Sequence, residues 1–346
     1  MYFQKTKRFT RNRIFVAIAT LTLGLPAIAD ELIMKDGSRL LGTVVKKDSS
    51  TSFGFKTSYA GVITIQWADV KELIADEPIT VLLQSGNTYD VVSANKNDDG
   101  VTTLSGVDTS QTATLKEVAY FNPEPWRLGQ GWHWEGKTNV ALAFERGNTD
   151  KDDFDADFAM SFRQLDDRVK LNGDYDREKS NEVLTSEDWR LMTRYDHFVS
   201  KKLFYGATLG FEHDRFADLQ LRTTIGPLVG YEFYDSKAMN LDIAGGPIYV
   251  KENYYNADND EYAALGWQLN FDRFITDSIQ FYHRHNGLLS IEDTEDFAWD
   301  SWTGLRFPIY AGIVASTEVK IEYDGGAQKG VDKTDTTYSV KLGYQW

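Results

Sequence analysis

The chain has 346 residues, with 37 Lys and Arg against 52 Asp and Glu, a formal charge of −15. That acidity argues against a nucleic-acid partner, whose phosphates require a basic footprint; the absence of Cys excludes disulfides, thiolate metal sites and cysteine nucleophiles. Mean hydropathy is −0.42, too polar for a helical membrane bundle, yet there are 9 Trp, 18 Tyr and 20 Phe, a pairing that suits strands with one apolar and one polar face.

Residues 1–29 read as a secretory signal peptide. Lys5, Lys7, Arg8, Arg11 and Arg13 precede the apolar run Ile14–Leu25, and Ala27-Ile28-Ala29 is a small-residue cleavage site. Cleavage is expected between Ala29 and Asp30, which leaves the mature chain more acidic still. No other segment is apolar enough to span a membrane as a helix.

Residues 30–121 hold two copies of one β unit. Leu32-Ile33-Met34-Lys35-Asp36-Gly37-Ser38 is echoed by Val81-Leu82-Leu83-Gln84-Ser85-Gly86-Asn87. Each is an apolar strand running into a Gly turn. Trp67–Leu73 is likewise echoed by Leu115–Phe121, an offset of about 48 to 49 residues that marks an array. The expectation is two small β-barrel or SH3-like modules side by side. Within them Asn95-Lys96-Asn97-Asp98-Asp99-Gly100 mimics half an EF-hand loop. Its twelfth position would be Gly106, where calcium needs a bidentate Glu, so a hairpin turn is expected. Residues 122–131, opening Asn122-Pro123-Glu124-Pro125, are expected to be an extended linker.

From residue 132 to 346 the residues alternate with a period of two. The terminal strand puts Tyr338, Val340, Leu342, Tyr344 and Trp346 on one face, and Ser339, Lys341 and Gly343 on the other. Tight turns are expected near 165–166, 200–201, 235–236, 276–277 and 308–311. Longer loops are expected near 146–152, 177–187, 213–219, 252–261, 292–296 and 324–336. Such alternation of short and long connections reads as an antiparallel transmembrane barrel of about twelve strands. The fold class is therefore all-β, with the barrel behind the repeat module. An even strand count puts both barrel ends, and the module, in the periplasm.

The apolar face turns to lipid and the charged face to the lumen. The expected lining carries both signs. It comprises Asp174, Arg190, Arg194 and Asp196 in the third and fourth strands, and Glu212, Arg222, Glu232 and Asp272 in the middle ones. Glu318, Lys320, Glu322 and Lys341 complete it in the last two. Two readings follow: a narrow channel with these residues as its lining, or an anchor whose repeats bind an envelope partner.

Three chemical motifs carry little. Gly131-Trp132-His133-Trp134-Glu135-Gly136-Lys137-Thr138 matches a phosphate-loop pattern, but Val140, Leu142 and Phe144 continue a strand where a helix is required. His283 and His285 face outward, and a symmetric hairpin sets His285 opposite Thr303 and diagonal to Ser301. A nucleophile needs an oriented base and a third group, so an outer-membrane lipid hydrolase stays only a distant third reading. Gly287 is read as a bulge. The acidic loops Asp258–Glu261 and Glu292–Asp296 read as solvated, without metal. No cofactor is expected.

The Gly131-Trp132 strand start, the Gly147-Asn148-Thr149-Asp150 loop and the Leu342-Gly343-Tyr344-Gln345-Trp346 terminus together resemble the YdiY-like salt-induced outer-membrane proteins, over residues 126–346. The terminal Trp346 departs from the Phe common in such barrels. The resemblance implies a Gram-negative outer-membrane location among lipid and lipopolysaccharide. It also implies insertion by the barrel assembly machinery, which reads Tyr338, Val340, Leu342, Tyr344 and Trp346. It implies no substrate.

Overall fold

A computed structural model describes residues 29–346, except 48–51, 97–101, 107–109, 115, 146, 148–149, 237, 277, 294–296 and 327–331. The signal peptide before Ala29, the Asn97–Gly100 turn and part of the acidic loop at 294–296 lie outside the described residues. The chain forms two compact units, residues 1–123 and 124–346.

The first unit is a single sheet. Its strands are β1 Asp30–Met34, β2 Arg39–Lys47, β3 Ser52–Thr57, β4 Gly61–Gln66, β5 Val70–Leu83, β6 Thr88–Lys96, β7 Thr102–Gly106, β8 Ser110–Ala113 and β9 Val118–Phe121. The order is β4-β3-β2-β1-β5-β6-β7-β8, with β9 also on β5. The repeat is real in the backbone. Met34 N–H donates to Ser38 O and Leu83 N–H to Asn87 O, both at 2.8 Å. In the first turn Ser38 N–H caps the Asp36 carboxylate at 2.8 Å, which holds that carboxyl below its usual range.

The expectation of two separate modules is corrected. β5 is 14 residues long and belongs to both copies. β6 pairs along both halves, β1 on the first and β9 on the second. One core therefore serves both: Leu32, Val44, Phe53, Phe55 and Trp67 from the first copy join Val81, Val91, Leu104 and Phe121 from the second. Phe53 is fully buried, edge-on to Trp67 at 5.4 Å and to Phe121 at 5.7 Å. Phe53→Ala is expected to destabilise this unit by about 3–5 kcal/mol, the cost of emptying an aromatic core position. Protease sensitivity of residues 30–121 in rising urea checks it, and the barrel's heat-modifiable mobility should not move.

The second unit is a closed barrel. Its strands are β10 His133–Glu145, β11 Lys151–Gln164, β12 Asp167–Ser180, β13 Val183–Phe198, β14 Leu203–Asp214 and β15 Leu219–Asp235. Then come β16 Met239–Tyr254, β17 Asp260–Thr276, β18 Ile279–Ser290, β19 Phe297–Tyr310, β20 Ile313–Asp324 and β21 Thr334–Gln345. Each strand pairs with the next and β21 pairs with β10, all antiparallel. The alternation in sequence is the alternation of the wall. Val140, Leu142 and Phe144 are exposed on the outside, as are Tyr338, Val340, Leu342 and Tyr344, while Lys341 and Asn139 are buried inside.

Two connections differ from expectation. The long loop foreseen over 177–187 is a two-residue turn, Asn181-Glu182, with φ of 50° and 65°. Two successive left-handed residues make the primed turn that matches strand twist, so β12 and β13 extend past the polar segment. The turn foreseen at 308–311 is Ala311-Gly312, and β19 continues through Pro308 to Tyr310. The expected linker is also shorter. Pro125–Leu128 form a 3-10 turn belonging to the barrel unit, where Leu165 N–H donates to Trp126 O at 3.0 Å and Gln164 Nε2 to Gly129 O at 3.1 Å.

The seam between β10 and β21 is short. The ladder covers Lys137–Val140 against Leu342–Gln345, whereas β11 and β12 pair along their whole lengths. Below the ladder, Trp346 N–H donates to Gly136 O at 3.0 Å, and Gly136 N–H to Trp346 O at 3.2 Å. The Trp346 ring stacks on Tyr344 and meets Trp134 edge-on. It lies where a Cβ on Gly136 would sit, 2.5 Å from that point.

Candidate functional site: the barrel lumen

The wall sets which side chains meet inside, and the ends of the lumen differ. At the turn end, Asp196 is fully buried. It accepts from Arg168 Nε at 2.9 Å and from Arg194 Nη2 at 3.1 Å. Arg168 also pairs with Glu232, and Arg194 with Asp242 at 2.6 Å. Lys170 reaches the other oxygen of Asp242 at 2.7 Å. Phe198 and Phe204 are buried with them, Arg168 lying 4.8 Å over the first and Arg194 5.3 Å over the second. Gly230 makes room, since a Cβ there would fall 2.2 Å from the Phe204 ring. A second ion-paired group stands beside this one: Lys341 contacts Asp155 at 2.7 Å, Asp157 at 3.0 Å and Glu318 at 3.0 Å. Buried charges of this kind are tolerated only when paired and hydrogen-bonded. Together they form a dense floor.

At the loop end the lumen opens into a vestibule of about 840 Å³. Arg190 reaches Glu212 at 3.2 Å and Asp300 at 3.4 Å, and also Glu322. Arg222 bridges Glu212 at 3.0 Å and Glu252. Lys320 lies 2.9 Å from Asp176, 3.7 Å from Asp188 and 3.1 Å from Glu322. Asp174, Asp176 and Asp188 bring carboxylate oxygens close enough together to hold a cation. The ammonium of Lys320 already supplies positive charge to two of them.

The residues expected to line the lumen thus fall into two groups. Arg194, Asp196, Glu232, Glu318 and Lys341 belong to the floor. Asp174, Arg190, Glu212, Arg222, Lys320 and Glu322 belong to the vestibule and its walls. Asp272 pairs with Arg306 at 3.6 Å. The floor residues Arg168 and Asp242, and the inward cations Lys137, Arg284 and Arg306, were not foreseen. The phase of each strand carried them: with His283 and His285 outward, Arg284 must face in.

The outer wall departs from expectation at the histidines. His285 pairs in register with Ser301, and His283 with Thr303. The register differs from the symmetric hairpin by two residues on β19. His283 Nδ1 lies 2.7 Å from Thr303 Oγ1. Among the described residues neither histidine has a carboxylate partner. Gly287 is not a bulge; it pairs regularly with Trp267 and Trp299. A Cβ there would fall 2.0 Å from the Trp267 ring, so the glycine serves an aromatic column instead. Residues 133–138 run in β10 as strand, not as a phosphate loop.

A family model described as "Protein of unknown function, DUF481" matches residues 138–346. No curated protein sequence matches the chain. Among solved structures, the NanC porin aligns with 62% of this chain and 100% of its own, at 12% identity and a TM-score of 0.40. The outer membrane channel DcaP of Acinetobacter baumannii aligns with 62% of this chain and 97% of its own, at 11% identity and a TM-score of 0.31. The CymD monoaromatic hydrocarbon channel aligns with 63% and 81%, at 9% identity and a TM-score of 0.31.

Proposed function

The chain belongs to the DUF481 family of proteins of unknown function, and from that premise we propose that its barrel spans the outer membrane as a narrow channel, closed at rest. One observation carries this reading. The lumen is a vestibule open at the loop end over an ion-paired floor at the turn end. A barrel serving only as an anchor has no use for an 840 Å³ chamber lined by charged and apolar side chains alike. A constitutive pore has no use for buried Asp196 and Arg194 across its path. A floor of charged side chains can rearrange, because Arg168, Arg194 and Lys341 each have more than one carboxylate within 4.0 Å.

The chain enters and leaves the barrel at the turn end. Secretion through a signal peptide places that end in the periplasm, and residues 30–121 with it. Lipid and lipopolysaccharide then surround the wall, and the barrel assembly machinery is the partner that reads the terminal strand. The role needs no enzymatic chemistry. Planar-bilayer recording of the refolded full-length protein tests it. Small, brief, ion-selective steps are expected, and Lys341→Gln should shift selectivity toward cations. Silence from the wild type and from floor variants alike would return the barrel to an anchor for the periplasmic unit, which has a core of its own.

A further inference from the structure

Among the described residues two inward cations, Arg284 on β18 and Lys137 on β10, have no carboxylate within 4.0 Å. The register brings carboxylates near Arg284, but each is engaged elsewhere. Its cross-strand neighbours are Asn270 and Trp302. Of the carboxylates diagonal to it, Asp272 faces Arg306 at 3.6 Å and Asp300 faces Arg190 at 3.4 Å. Glu318 is taken by Lys341 at 3.0 Å and by the Tyr282 hydroxyl at 3.0 Å. Tyr282 is the next inward residue of the same strand. Lys137 Nζ lies 5.3 Å from its ring centroid, and the Arg306 guanidinium 4.8 Å. Arg306 is only 3% exposed, and its Nε has no hydrogen-bond acceptor. On the other side of Arg284, Asn286 lines the vestibule.

We propose that these cations form a binding site for a small oxyanion, a carboxylate or a phosphate, which descends from the vestibule past Asn286 to Arg284. A guanidinium presents paired N–H groups that match two oxygens of such an anion. An ionised residue within a membrane barrel is costly without a counter-charge. Neighbouring cations add to that cost unless an anion joins them. The lumen pairs its other described arginines with its own carboxylates, so an arginine left over at the foot of an open chamber has a ligand to meet. The site deepens the channel reading, on which it relies for the route of entry.

Calorimetric titration of full-length protein in detergent, with inorganic phosphate and separately with acetate at constant ionic strength, tests the site. One saturable event is expected with at least one of the two, and the stronger names the source. Arg284→Gln should weaken it tenfold or more. Arg284→Lys, which keeps the charge but loses the fork, should fall between. Arg215→Gln, on an exposed residue of the loop end, should leave it unchanged. Without oxyanion, Arg284→Gln should melt higher than the wild type. Absence of saturable binding, or binding indifferent to Arg284→Gln, would overturn the proposal. So would failure of both Arg284 variants to fold, since that would give the residue a structural part. Silent bilayers with saturable binding would remove the channel and keep the site; conduction without binding would do the reverse.

Discussion

Asp196→Asn should destabilise the barrel by about 3 kcal/mol or more, the usual cost of removing one partner from a buried ion pair. The substitution is nearly isosteric, so packing against Phe198 and Phe204 is preserved and the loss is one of charge. Arg168 and Arg194, 5% and 1% exposed, would be left with Glu232 and Asp242 as their remaining counter-charges. Urea titration in detergent, scored by heat-modifiable mobility, measures the effect. Glu187→Gln, which breaks the exposed pair with Arg215 at 3.3 Å, should cost less than about 1 kcal/mol. The same Asp196 variant should conduct more often in a bilayer, because the floor it loosens is the constriction. Equal effects from the two substitutions would mean that the floor is not dry enough for its pairs to matter.

Trp346→Ala should lower barrel stability by about 2 kcal/mol. The figure is below the core value for a lost Trp, because the ring is only half-buried and its backbone bonds to Gly136 remain. Gly136→Val attacks the same contact from the other side, since its side chain must displace the Trp346 ring. The two substitutions share one interaction, so together they should cost less than their sum. A double-mutant cycle on the same urea assay checks this. Full additivity would mean that the ring does not hold the seam.

Much of this barrel was legible in the sequence, and the reason is periodicity. Lipid outside and ion pairs inside impose a strict period of two, so runs such as Tyr338–Trp346 declare both their strand and their faces. Turn geometry was less legible. Asn181 and Glu182 were submerged in a polar stretch whose outer residues are strand. Partner choice was not legible at all. Lys341 meets Asp155 across a gap set by the tilt and stagger of the whole wall, which no local pattern encodes. The fused sheet of residues 30–121 was missed for a related reason. The repeat shows that two units exist, but that β5 runs through both depends on Asp76-Glu77-Pro78 continuing as strand. A Pro there reads as a break unless the strand is already known.

The short seam also bears on how such a wall comes to exist. Every pairing in the barrel except β10 with β21 joins strands that follow one another in the chain. The wall can therefore grow hairpin by hairpin at low contact order, each step repaid as it is made. Only the last step joins residues at opposite ends of the unit, Lys137 to Gln345. By then the two ends are carried by a formed sheet instead of a loose chain, and the ladder that closure gains is the shortest in the barrel. Until then the protein is an open, curled sheet with two bare edges, the form most prone to pair with a neighbour instead of with itself. The aromatic cluster of Trp134, Tyr344 and Trp346 stands where those edges meet, so closure buries apolar surface that an open edge would leave bare.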